Sequence, residues 1–141
     1  MSIATATCFW IQSGGMQGGS RNQLEITSEF AEFFDAASRA AGYVTLFNDL
    51  GANKDATFAA RSKEDYEHYV DKGRLSLITE RQGGEKYPGR VIHFEKREEG
   101  GRYTYILEVA DAGSVECQQW RARSVHVGAT KGPHGREYGY Y

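Results

Sequence analysis

The chain has little of what would build a secreted, membrane-spanning or metal-centred protein. It has only two cysteines, Cys8 and Cys117. They cannot form a disulfide framework, and a reduced, cytoplasmic protein is the default expectation. No apolar run approaches the roughly 20 residues that a membrane helix needs. Met1 to Ile11 carries neither a basic flank nor a long apolar stretch, so no secretory leader is expected there. Cys-x-x-Cys and His-x-x-x-His spacings are missing, and His68, His93, His126 and His134 are scattered. There is no phosphate loop of the Gly-x-x-x-x-Gly-Lys-Ser/Thr kind and no Gly-x-Ser-x-Gly elbow. No cofactor or metal is expected, and a non-enzyme is favoured over an enzyme. Charge of one sign is also scarce. A net charge of −2 excludes a uniformly basic nucleic-acid binder and an acidic DNA mimic alike.

What is present is the composition of one folded domain. Hydrophobic residues make up 40% and charged residues 26% of 141 positions, which excludes a disordered tail or a fibre. Charge is unevenly spread. Residues 118–141 carry Arg121, Arg123, Lys131 and Arg136 against Glu137 alone. Residues 1–127 read as a single α+β domain and residues 128–141 as a Gly-rich basic tail.

Periodicity assigns the elements. Residues 3–11 are β-branched and aromatic, apolar on both sides near their end, and read as a central strand. The 13–20 stretch contains Gly14, Gly15, Gly18 and Gly19 and reads as a loop. Leu24 and Ile26 alternate with polar neighbours as a short strand. The 28–41 stretch reads as a helix capped by Ser28 and stopped at Gly42, with Phe30, Phe33, Phe34, Ala37 and Ala41 on one face. Strands follow at 43–47 and 56–60, a second helix at about 63–72, and a strand at 75–79. The clearest hairpin joins 90–96 to 103–109 through Arg97 to Gly101. A strand pair is expected at 114–121 and 123–127, and an irregular end thereafter. Many short strands with two helices predict an α+β fold whose mostly antiparallel sheet curls or closes into a pseudobarrel.

Candidate chemistry is sparse. His93 and His126 lie on expected strands and could serve as an acid–base pair, but the two-histidine phosphoesterase pattern needs a hydroxyl two residues on, where Glu95 and Gly128 stand. Glu95 and Lys96 are adjacent, so on a strand they face opposite ways and miss the common nuclease pattern. The 13–19 glycines could bring backbone amides to an anion. Near the C-terminus Trp120, Tyr138, Tyr140 and Tyr141 interleave with Arg121, Arg123, Lys131 and Arg136. That mixture suits nucleic acid and equally a protein partner.

Three stretches carry a family resemblance. Ser13-Gly14-Gly15-Met16-Gln17-Gly18 followed by Arg21-Asn22 resembles a Ser-Gly-x-Asn-Trp-Gly…Arg…Asn entry. Gly42 to Leu46 with Asp49 and Gly51 resembles a strand–Asp–Gly turn. Tyr87-Pro88-Gly89-Arg90 through Lys96, then Tyr103, resembles a Tyr-Gly-Arg strand and its successor. The family is the B3-like DNA-binding domain of phospholipase-D-type restriction endonucleases. The chain departs from it at Met16-Gln17 and at Pro88. The resemblance implies a pseudobarrel that sets two arms into the DNA major groove, with Arg21, Asn22 and Arg90 in contact.

The readings rank as follows. The first is a non-catalytic nucleic-acid-binding module using Arg21, Asn22, Arg90, Arg121, Arg123, Lys131 and Arg136. The second is a small protein-binding accessory factor such as an inhibitor, an immunity protein or a phage anti-defence protein. The third is a nucleotide-binding protein or enzyme built on the 13–19 loop.

Overall fold

A computed structural model of the chain describes residues 1–14, 23–27, 29–41, 43–47, 53–59, 73–77, 87–131 and 135–141. Nine strands form one sheet: β1 (Cys8–Gln12), β2 (Gln23–Ile26), β3 (Tyr43–Phe47), β4 (Asn53–Ala59), β5 (Gly73–Ser76), β6 (Arg90–Glu99), β7 (Arg102–Asp111), β8 (His126–Ala129) and β9 (Glu137–Tyr140). Their order across the sheet is β2-β5-β4-β3-β7-β6-β1-β9-β8. Every neighbouring pair is antiparallel except β3 and β7. The α+β curled sheet expected from the sequence is the observed fold. Among the described residues no helix is long and apolar enough to cross a membrane.

Curling is visible in contacts between opposite ends of the strand order. Arg136, just before β9, donates from Nη2 to the Glu25 carbonyl of β2 at 3.2 Å. The Lys131 amide, just after β8, donates to Glu29 Oε1 at 3.1 Å. No ladder joins β2 to β8 among the described residues, so side chains rather than strand pairing span the gap. The sheet wraps one core in which Leu24 and Ile26 of β2 meet Phe9 and Ile11 of β1 and Tyr138 of β9.

Alternation explains which side chains enter that core. On β1, Phe9 and Ile11 point inward while Trp10 belongs to a second cluster on the outer face with Val91, Ala110 and Trp120. On β6, Ile92 and Phe94 point inward and Val91 and His93 outward, and all four are buried. Both faces of these strands are covered, which is why the sequence reads apolar on both sides there.

The 28–41 stretch is not one helix. A 3₁₀ turn at Ala31–Phe33 ends at an extended Phe34, and α1 spans only Ala36–Ala41. Asp35 causes the break. Its Oδ2 accepts from the Ser38 amide at 3.0 Å, as an N-cap does, and its Oδ1 accepts from the Tyr105 hydroxyl at 2.6 Å. Phe30, Phe33 and Phe34 are still fully buried, whereas Ala37 and Ala41 are exposed. The 63–72 helix lies outside the described residues.

Two corrections concern the C-terminal third. The strand expected at 114–121 is replaced by helix α2 (Val115–Arg123), with Ser114 Oγ accepting from the Cys117 amide at 3.3 Å. The expected irregular tail holds β9, which pairs with β1 on one side and β8 on the other. The strand residues beyond 127 therefore belong to the same sheet as the body. Gly139 of β9 lies against Trp10, and a Cβ there would sit 2.6 Å from the indole Cε2 and Cζ2. Gly139→Ala is expected to cost about 1–3 kcal/mol of stability through overpacking. Urea denaturation followed by tryptophan fluorescence measures it, and an unchanged midpoint would refute the close packing of β9 on Trp10.

Candidate nucleic-acid interface

The strand registers bring several distant cations to one end of the sheet. Gln12 at the end of β1 pairs with Val91, Arg90 at the start of β6 pairs with Asp111, and Glu137 at the start of β9 pairs with Ala129. Arg90, Lys131 and Arg136 therefore stand on the same rim. Arg121 joins them from α2, because its guanidinium forms an ion pair with Glu137.

Ser13 and Gly14 lie at this rim as well. Ser13 and Gly14 continue β1 and are locked to residues 87–90. The Ser13 amide donates to the Arg90 carbonyl at 2.9 Å, the Gly89 amide donates to the Gly14 carbonyl at 2.9 Å, and the Ser13 hydroxyl donates to the Tyr87 carbonyl. Gly14 has φ +62°, a left-handed conformation that suits glycine. Its α-carbon is closely backed by Arg136, whose Cδ would lie 3.2 Å from a Cβ at that position. Arg21, Asn22 and Gly15 to Gly19 lie outside the described residues.

The four rim cations differ in availability. Arg136 is half-buried, and burial lowers its guanidinium below the ordinary value while Glu29 opposes the shift. It serves mainly to span the gap to β2. Arg90 donates from Nε to Asp111 Oδ1 at 3.1 Å, and its side chain keeps 31% of its exposure. Arg121 is 54% exposed beside Glu137. The Lys131 side chain is exposed. Ion pairs this exposed contribute roughly 0–1 kcal/mol, so exchanging a carboxylate for a phosphate at Arg121 costs little. Asp111, Glu137 and Glu29 stand beside the cations and moderate the field of the rim.

Arg123 does not belong to this rim. It lies at the other end of β1 and β9, where Tyr141 and Cys8 feel its charge. The C-terminal aromatics are mostly spent internally as well. Tyr138 is part of the main core, and Trp120 is buried over His93, with ring centroids 4.5 Å apart. The histidines do not form a pair. His93 on β6 and His126 on β8 are separated by β1 and β9. His93 is 4% exposed. Its Nε2 is 2.9 Å from the Tyr141 hydroxyl, and its Nδ1 has no partner among the described residues. Burial first, with a smaller push from Arg123 and against the pull of Glu95, lowers it to about 4.

Cys8 and Cys117 are both free thiols. Burial pushes the Cys8 thiol above its ordinary value, which disfavours a nucleophilic thiolate. Among the described residues no group of three His, Cys, Asp or Glu could hold a metal ion.

No protein-family model, no curated protein and no solved structure matches the chain.

Proposed function

We propose that the chain is a non-catalytic nucleic-acid-binding module whose phosphate-facing surface is the rim around Gly14. One observation supports this reading above all. Arg90 is remote in sequence from Arg121, Lys131 and Arg136, yet the strand registers and the Arg121–Glu137 ion pair gather all four at the rim where β1 runs on to Gly14. Arg21 and Asn22 are contacts that the B3-like resemblance implies. The B3-like resemblance implies a pseudobarrel, and the sheet curls without closing into a barrel among the described residues.

Phosphate contacts release counterions, so binding weakens with salt. With about three contacts, from Arg90, Arg121 and Lys131, affinity should fall roughly 40-fold between 50 and 200 mM salt. A mobility-shift titration with duplex and single-stranded DNA measures this. No complex with either at low salt would end the proposal.

A protein partner is the second reading. Val115, Val125 and Val127 are exposed, and the last two lie at β8, which pairs only with β9 among the described residues. An exposed edge strand is a ready template for another chain. The cytoplasmic location belongs to both readings.

A further inference from the structure

Beside the rim, between β1, β6 and the first turns of α2, lies a half-open cavity of about 170 Å³. Its inner walls include Trp10, Val91 and Cys117, and its mouth is polar, with Gln118, Arg121 and Glu137. Trp10 is held in place there. Its Nε1 donates to Ser124 Oγ at 2.7 Å, and its ring lies against Gly139. Gln118 Nε2 donates to the Gly113 carbonyl at 3.3 Å, which fixes one side of the mouth.

Size and chemistry narrow the occupant. A cavity of about 150 Å³ takes one benzene ring, so the volume of about 170 Å³ matches a single six-membered ring. Its apolar walls suit the faces of such a ring, and its polar mouth suits a ring with hydrogen-bonding edges. Arg121 and Glu137 belong both to this mouth and to the cation rim. A ring entering the cavity can therefore stay tethered to a phosphate held at the rim.

We infer that the cavity takes one unpaired pyrimidine base of a nucleic-acid strand whose phosphates lie on the rim. This rests on the proposed nucleic-acid reading and deepens it. A base must leave the stack to enter, which is easiest where it already lacks a partner.

The test compares four DNA duplexes in one binding assay: fully paired, with a single extrahelical thymine, with an extrahelical adenine, and with an abasic residue at that position. Stacking on aromatic side chains is sequence-tolerant in the open, so a preference for thymine over adenine reports the limited room of the cavity. The thymine duplex is expected to bind roughly tenfold tighter than the abasic one, and the adenine duplex is expected to match the abasic one. Ala112 lines the cavity but carries no charge to the rim. Ala112→Phe should fill the space and remove the thymine preference while the fully paired duplex binds as before. If that variant fails to fold, the wild-type comparison decides alone. Equal binding of all three interrupted duplexes, with the paired duplex still bound, would overturn the base pocket and leave the rim reading intact. Equal tight binding of thymine and adenine would overturn the single-ring assignment. Failure to bind any duplex would overturn the rim reading and the pocket with it.

Discussion

Replacing Phe9 with alanine is expected to remove about 3–5 kcal/mol of folding stability. Phe9 is fully buried on β1, which lies between β6 and β9. Its ring stacks on Phe30 at 4.8 Å and on Phe94 at 6.1 Å, and it is tilted against Phe33 at 5.4 Å and Tyr138 at 6.1 Å. These partners come from the 3₁₀ segment, β6 and β9, so one truncation loosens contacts among several parts of the core. The surrounding rings are themselves close-packed and cannot collapse into the space. Since domains are stable by only about 5–15 kcal/mol, the variant should unfold at a much lower urea concentration than the wild type. A loss under about 1 kcal/mol would mean that the aromatic cluster is not the centre of the fold.

Acid is expected to unfold the protein through His93. In the folded state its imidazole titrates at about 4, against an ordinary value of 6.5. Between those values the unfolded chain holds a proton that the folded chain does not, so folding is opposed as the pH falls. Stability from this group is intact above pH 6.5, declines through the window, and levels off below pH 4. A depression of this size is worth about 3 kcal/mol. The physical cost is a charged ring placed under Trp120 with its Nδ1 unpartnered. Urea midpoints measured from pH 7 to 4 should show the decline, and His93→Gln should flatten most of it. A wild-type midpoint independent of pH between 6.5 and 5 would contradict the burial of this ring.

The elements that could be read from the sequence were those set by local alternation. The β6–β7 hairpin is clear because Ile92 and Phe94 oppose Val109 and Leu107 in one face of a period-2 pattern. Its turn was expected too wide. Arg97, Glu98 and Glu99 remain in the strand as a solvated extension, and only Gly100 and Gly101, at φ +58° and +80°, make the reversal. A two-residue turn with both φ values positive matches the twist of the strands. Helix α2 carried its own signals, Ser114 as cap, Glu116 in the first turn and Arg121 and Arg123 in the last. Its polar face is exposed and only Trp120 is buried, so no apolar stripe marks it. In β9, Tyr138 and Tyr140 flank Gly139 as alternation requires, but the glycine reads as loop until Trp10 is seen to occupy its side-chain space. Asp35 hid in the 28–41 pattern because the phenylalanine spacing fits a helix whether or not the chain breaks there.

The rim was legible only in part. The basic bias of residues 118–141 marked Arg121, Lys131 and Arg136, and the family resemblance marked Arg90. Their meeting depends on strand order and register, which no local pattern encodes. For the same reason Arg123, two residues from Arg121, could not be told apart from it. The structural duty of Arg136 depends on the curl that brings β2 to β9.

The most direct measurement is the salt dependence of duplex DNA binding for the wild type, the Arg121→Ala/Lys131→Ala double variant and Arg123→Ala. Each lost phosphate contact should change the slope of log affinity against log salt by about 0.9. The double variant is therefore predicted to lose about 1.8 of slope, and Arg123→Ala to keep the wild-type value. A slope that survives the double variant, or one that falls equally with Arg123→Ala, would mean that nucleic acid does not lie on the rim around Gly14.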